Sequence, residues 1–268
     1  MEIGSGGSRP EVERGRSEPA PSAARRKALA GLAPRHQFFA TTAVPCPYIA
    51  GRAERKLIVE LSGRTAPEFY DELSRAGFRR SHRFAYRPAC RSCAACVPVR
   101  IAVARFADTR STRRVRNANA ALAVRLLPPI ATIEQFRLFL LYQQRRHGDS
   151  DMATMTYGEY RNMVEDTALR TALVESRDAD GALVAVSLVD RLDDGISAVY
   201  SFYDPARPQR SLGTWCILWL VEECRRRGLP YVYLGYWIAE SPKMAYKARF
   251  SGLERLLDGL WVPLAPEK

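Results

Sequence analysis

No apolar run in this chain approaches the roughly 20 residues that cross a bilayer. Its first residues, MEIGSGGSRPEVERGRSEPAPSAARR, lack the continuous apolar stretch of a secretory signal. These absences predict a soluble, cytoplasmic protein without a membrane partner. Histidine is scarce: His36, His82 and His147 are the three, and none has a metal-pair or triad partner at telling spacing. There is no nucleophile elbow and no P-loop, which argues against serine-hydrolase and nucleotide-phosphate chemistry. Lysine is also rare, five residues within a Lys+Arg total of 41.

Acid is missing from one stretch. The net charge of +12 divides into +3 over residues 1–48, +12 over 49–150 and −3 over 151–268. Between Leu73 and Arg116 there are twelve arginines and a single acid, Asp108. Compositional bias explains why the bases are Arg rather than Lys, but not why acids are absent. The stretch is expected to be a polyanion-binding surface for nucleic acid; a merely solvated basic face is the other reading.

At 268 residues with 47% hydrophobic content, the chain can bury a substantial core. Residues 1–34, rich in Gly, Ser, Pro and Ala, read as a disordered tail. A cysteine-containing, Arg-rich region spans 35–107, and an α/β domain spans 108–268. In that domain Thr132-Ile-Glu-Gln135 has capping-box spacing and opens a helix with Arg145, Arg146 and His147 at its end. Leu183–Val189 and Ile196–Phe202 read as strands around the turn Asp193-Asp194-Gly195. Gly213–Arg227 reads as a helix and Tyr231–Trp237 as a strand, a βαβ-like succession.

Three segments carry possible chemistry. Arg210-Ser211-Leu212-Gly213-Thr214, between strand and helix, aims backbone N–H groups and one guanidinium at an anion. It looks like the pyrophosphate loop of acetyl-CoA-dependent N-acetyltransferases, except that Trp215 stands where a small residue is expected; an ordinary αβ connection is the alternative. From Tyr231 to Phe250 six aromatics and three cations share twenty residues, a composition suited to an RNA 3′ end. Two of the five lysines, Lys243 and Lys247, fall there, with Tyr236, Trp237 and Tyr246. Finally, Cys90, Cys93 and Cys96 have C-x2-C-x2-C spacing and Cys46 lies upstream. Four thiolates of this kind suit zinc or an iron–sulfur cluster, reduced thiols being the alternative. Cys216 and Cys224 read as core packing.

Taken together these segments resemble the bacterial aspartate/glutamate leucyltransferases, relatives of the eukaryotic arginyl-tRNA–protein transferases. The matching stretches are Phe38 to Lys56, Gly77 to Ser81, Tyr86 to Cys90, Cys93 to Arg100 and Thr109 to Val115. Tyr200 to Pro205, Arg210 to Thr214 and Tyr233 through Phe250 complete the set. The resemblance implies an acetyltransferase-like (GNAT-like) α/β core behind a cysteine-containing N-terminal region. It implies transfer of leucine from Leu-tRNA to proteins beginning with Asp or Glu, with a role in N-degron turnover. Where the arginyl branch has two close upstream cysteines and a later adjacent pair, this chain has one and then three, which favours the leucyl branch.

An aminoacyl ester is already activated, so no cofactor is expected for the chemistry, nor any DNA partner. Alignment of amine and ester supplies much of the rate. Backbone N–H groups near Gly235, or the Tyr236 hydroxyl, are expected to hold the oxyanion. Lys243, Lys247 and Arg52 are expected to face the acceptor's carboxylate, and Asp204 its ammonium. Arg210, Ser211, Gly213, Thr214 and Trp237, with Arg87, Arg113 and Arg114, are assigned to the tRNA. Arginyl transfer, an acetyl-CoA N-acetyltransferase and a non-catalytic RNA-binding protein are the alternatives.

Overall fold

The computed structural model describes residues 36–264 other than 147 and 149. The expected tail at 1–34 and the capping role of His147 lie outside the described residues. The N-terminal layer starts with β1 (Phe38–Ala40), β2 (Val44–Pro45), β3 (Ala53–Glu54) and β4 (Lys56–Glu60). Helix α1 (Ala66–Arg75), then β5 (Arg79–Ser81) and β6 (Phe84–Pro88), complete it. Its four-stranded sheet has the order β1-β4-β6-β5, and β2 pairs β3 in a separate ribbon. Tyr70, Leu73 and Ala66 on α1 pack under this sheet with Val59 and Ala85.

The next strand leaves that layer. β7 (Val97–Ala102) is followed by α2 (Arg110–Ala118), β8 (Ala123–Leu127), α3 (Ile133–Arg146) and α4 (Tyr157–Glu165). Strands β9 (Thr171–Arg177), β10 (Leu183–Arg191) and β11 (Gly195–Tyr203) form a meander, and α5 (Leu212–Arg226) crosses to β12 (Tyr231–Trp237). The short α6 (Pro242–Ala245) and the hairpin β13 (Leu253–Leu257) and β14 (Leu260–Pro263) close the chain. The main sheet runs β14-β13-β7-β12-β11-β10-β9-β8, and its one parallel pair is β11 with β12.

The mixed α/β core is as expected, and its helix starts follow the sequence. Thr132 and Gln135 exchange reciprocal bonds at 3.0 and 3.2 Å, closing the capping box at the start of α3. The apolar run of α5 buries Trp215, Leu218, Leu220 and Val221 in the main core. β10 is buried along eight of its nine residues because neighbours flank it and helices cover it. The division near residue 107 does not mark a break. Because β7 is inserted between β12 and β13, everything from Gln37 onward forms one compact unit. Among the described residues no helix is long and apolar enough to cross a membrane.

Candidate functional site

Strands β11 and β12 part soon after they meet. Their parallel pairing covers only Gly195, Ile196 and Ser197 against Tyr231, Val232 and Tyr233. Beyond it both strands are irregular. Val199 is an extra residue between the pairs Ala198↔Val189 and Tyr200↔Leu188, and β12 shifts register against β7 between Tyr233 and Gly235. The wedge between them is filled by Arg79, reaching in from β5. Its Nη1 donates to Leu234 O at 3.2 Å, and its Nη2 to Ala198 O at 3.0 Å and Val199 O at 2.6 Å. These carbonyls lost their strand partners to the splay and regain them from one guanidinium.

Gly235 makes this possible twice over. Its φ of +70° is strained for any residue with a side chain, and a Cβ there would lie 1.8 Å from Arg79 Nη1. Lys247 approaches from the 3-10 turn after α6. It is only 5% exposed, and its Nζ donates to Leu234 O at 2.9 Å and Tyr236 O at 2.6 Å. Burial, and then the charge of Arg79, hold its pKa well below the usual lysine range.

Tyrosines surround the two cations. The Tyr236 hydroxyl lies 3.0 Å from both Gly77 O and Tyr86 O, so its single proton is committed to the N-terminal layer. Tyr246 is 37% exposed, yet its hydroxyl is pushed up to about 12, by burial first and then by Tyr203. Arg79 and Cys216 also act on it. Tyr203 is the hub on the other side. Its ring lies 4.8 Å from that of Tyr142, its hydroxyl accepts from Arg146 Nη2 at 3.4 Å, and a Cβ on Gly213 would come 2.9 Å from its Cε1. Gly213 therefore lets the first turn of α5 pack on this ring.

The loop before α5 is the one expected to face an anion. Ser211 takes a left-handed conformation (φ 50°, ψ 47°) and its side chain does not cap the helix. Asn119 Nδ2 fixes the loop by donating to Arg210 O at 2.8 Å, while Arg210 Nη1 is buried without a partner. Thr214 is half-buried in the same turn. Trp237, at the end of β12, is buried, and its indole N–H also has no acceptor.

Other expected residues fall elsewhere. Asp204 spends its carboxylate on a turn, Oδ1 accepting from Ala206 N and Oδ2 from Arg207 Nε, each at 2.9 Å. Lys243 is exposed on α6. Arg52 reaches Cys93 Sγ at 3.2 Å and Glu240 Oε2 at 3.3 Å. Arg87 lies over the Phe78 ring at 5.3 Å, and Arg113 and Arg114 are exposed on α2.

The four N-terminal cysteines are neighbours. Burial pushes the Cys96 thiol up to about 11, with Cys46, Cys90 and Cys93 adding to the effect. The Cys93 thiol is lowered, first by the Ala95 backbone and then by Arg52. Among the described residues, however, no three His, Cys, Asp or Glu side chains converge as a metal ion requires.

The arginine-dense stretch is not one solvated surface. Arg75 pairs with Asp193, Arg80 with Asp190, Arg83 with Glu60, Arg100 and Arg105 with Glu254, and Arg116 with Asp108. All of these acids except Asp108 lie outside Leu73–Arg116, so a local deficit of acid is partly balanced in space. Arg91, Arg110, Arg113 and Arg114 remain exposed. Arg79, the residue that fills the wedge, is absent from the site residues expected from sequence. Its signal is the pair Arg79-Arg80 on one strand, which must send its two charges to opposite faces.

Known proteins match over most of this architecture. Residues 44–114 match the family described as Arginine-tRNA-protein transferase, N terminus, and residues 134–257 the one described as its C terminus. The aspartate/glutamate leucyltransferase of Paramagnetospirillum magneticum is 53% identical over 231 residues, covering 86% of this chain and 95% of its own. That of Rhodospirillum rubrum is 56% identical over 220 residues, covering 82% and 89%. A solved structure, L-PGS from Bacillus licheniformis, aligns with TM-score 0.42 at 10% identity over 54% of this chain and 46% of that one. The chain belongs to the arginine-tRNA-protein transferase family, alongside its aspartate/glutamate leucyltransferases.

Proposed function

We infer that this chain acts as an aspartate/glutamate leucyltransferase. It moves leucine from Leu-tRNA to the α-amine of proteins that begin with Asp or Glu, which marks them for N-degron turnover. The observation that carries this reading is identity above 50% to relatives of that name along nearly their whole length. We assign the reaction to the cytoplasm, where charged tRNA is available. We also read the core as acetyltransferase-like: a splayed parallel pair, a crossover helix and an Arg-containing loop before that helix support it.

In the proposed reaction the neutral α-amine attacks the ester carbonyl of leucyl-tRNA. The C–O bond to the terminal ribose breaks, and the ribose oxygen leaves with the proton that the amine nitrogen gives up in becoming an amide N–H. A protein α-amine has a pKa of about 8, so a useful fraction is neutral near pH 7 without a strong base. Uncapped N–H groups at the start of α5, with Arg210, are suited to the phosphate near the tRNA end. Main-chain N–H groups around Gly235 are our choice for the oxyanion, because the Tyr236 hydroxyl is spent on carbonyls of the N-terminal layer. Exposed Arg113 and Arg114 would track the RNA backbone. No cofactor is required for these steps. Zinc or an iron–sulfur cluster on Cys46, Cys90, Cys93 and Cys96 would have to draw these separated thiols together and would serve structure; metal analysis of the purified protein tests for it.

An acetyl-CoA reaction fits less well, since the guanidinium of Arg79 fills the space between the two strands. Mass spectrometry of a peptide beginning with Asp, incubated with the protein and either Leu-tRNA or Arg-tRNA, decides. A gain of one leucine is expected. A gain of arginine would move the chain to the arginyl activity, and no gain from either tRNA would remove the transferase reading.

A further inference from the structure

Three arginines of the N-terminal half send their guanidinium groups deep into the protein, and two of them meet acids there. Arg80 bonds Asp190 Oδ2 at 2.7 Å and Arg100 bonds Glu254 Oε2 at 2.6 Å. Arg79 is the exception. Its three bonds all go to main-chain carbonyls, and Lys247 beside it also has two carbonyls and no carboxylate. Among the described residues, no Asp or Glu pairs with either cation. Both share Leu234 O, so the guanidinium and the Lys247 amine meet on a single oxygen, and burial beside Arg79 disfavours the amine's charged form. Carbonyl dipoles satisfy hydrogen bonds but do not neutralise charge, and buried like charges without a counter-ion are costly. Tyrosines and main chain around them bring no formal negative charge.

Donors are left over. A guanidinium has five N–H groups and an ammonium three. Arg79 makes three hydrogen bonds and Lys247 two, so each cation keeps donors in reserve. Both cations bond the carbonyl of Leu234, next to Gly235, around which, on the proposed reaction, ester and amine meet. An amino-terminal Asp or Glu carries its carboxylate only a few bonds from the reacting amine, so an anion-binding group is needed close to that point. Arg52 and Lys243 are less suited. Arg52 already faces the carboxylate of Glu240 in an exposed pair, and Lys243 is open to solvent, where a charge contact is worth little.

We propose that Arg79 and Lys247 together form the site that binds the side-chain carboxylate of the acceptor's first residue. The acceptor supplies the counter-ion that the fold withholds. The depressed pKa of Lys247 in the free chain agrees with a charge awaiting its partner. The proposal rests on the leucyl-transfer reading and deepens it.

The test compares two peptides that differ only in their first residue, Asp or Asn, as acceptors from Leu-tRNA. The unaltered protein is measured first; failure to modify the Asp peptide would defeat the transferase reading itself. If it does transfer, Arg79→Gln and Lys247→Met are compared with it, folding being checked by thermal melts. The Asp:Asn ratio of kcat/KM is expected to fall by about 10- to 150-fold for each charge-assisted hydrogen bond removed. Lys247→Arg, which keeps the charge, should recover much of the ratio. An unchanged ratio in a folded variant, or equal losses for both peptides, would overturn the proposal and leave the cations as props of the wedge. A defect confined to the KM for Leu-tRNA would also overturn it, because the anion would then be RNA phosphate. Should Arg79→Gln fail to fold, Lys247→Met decides alone.

Discussion

Arg79 and Arg80 are adjacent on β5, and their surroundings differ by one carboxylate. Arg80 faces Asp190, both side chains being 1% exposed, and Asp190 is held in turn by Thr171 Oγ1 at 2.7 Å. The charge there is closed upon itself, and what it yields is attachment of the N-terminal layer to β10. Arg79 enters the wedge and finds carbonyls only. The same side chain, one step along the strand, thus serves assembly in one case and keeps an uncompensated charge in the other. Burial alone does not tell a functional cation from a structural one; the company it keeps does.

Breaking the first arrangement should have the largest effect on stability. Arg80→Leu leaves Asp190 buried and uncompensated, with an expected cost of about 3–5 kcal/mol in chemical denaturation. A loss below about 1 kcal/mol, the range of exposed pairs, would show that this pair does not attach the layer. A smaller stability change but a large kinetic one is expected for Gly235→Ala. The added methyl must displace the Arg79 guanidinium, and a misplacement of about 1 Å at a reacting centre costs on the order of 100-fold in rate. Normal turnover in Gly235→Ala would separate the wedge from the chemistry. The mildest change is on exposed α2. Arg113→Ala with Arg114→Ala should leave melting nearly unaltered and reduce the slope of log affinity for tRNA against log salt by about one for each phosphate released. A slope that stays put would take α2 away from the RNA.

Much of the second half is legible because its signals are local. The strand Tyr231–Trp237 has the bounds expected from its composition, and the helix expected at Gly213–Arg227 lies at Leu212–Arg226. Thr132 and Gln135 close the box that their spacing announces. The loop at Arg210 can be found because Gly213 and the helix start are contiguous. The wedge is only half visible. Backbone N–H groups near Gly235 are expected to matter, but the side chain packed against them comes from β5, more than 150 residues earlier, and no window on the sequence joins the two. The arginine run misleads for the same reason: its acids Asp190, Asp193 and Glu254 are distant in sequence and adjacent in space. Lys247 stands out as a rare lysine, although nothing in its polar-looking segment foretells its burial.

The placement of β7 has a consequence for synthesis. Its two neighbours, β12 and β13, begin at Tyr231 and Leu253, far downstream of Val97, and leave the ribosome long after it. Until then a largely apolar strand has neither edge covered, which invites pairing with other chains. Closure of the sheet must wait for distant segments, so folding is expected to be slow for the chain's size. A nascent chain stalled before Leu253 would carry every arginine of the front half and still lack one wall of the sheet that positions them.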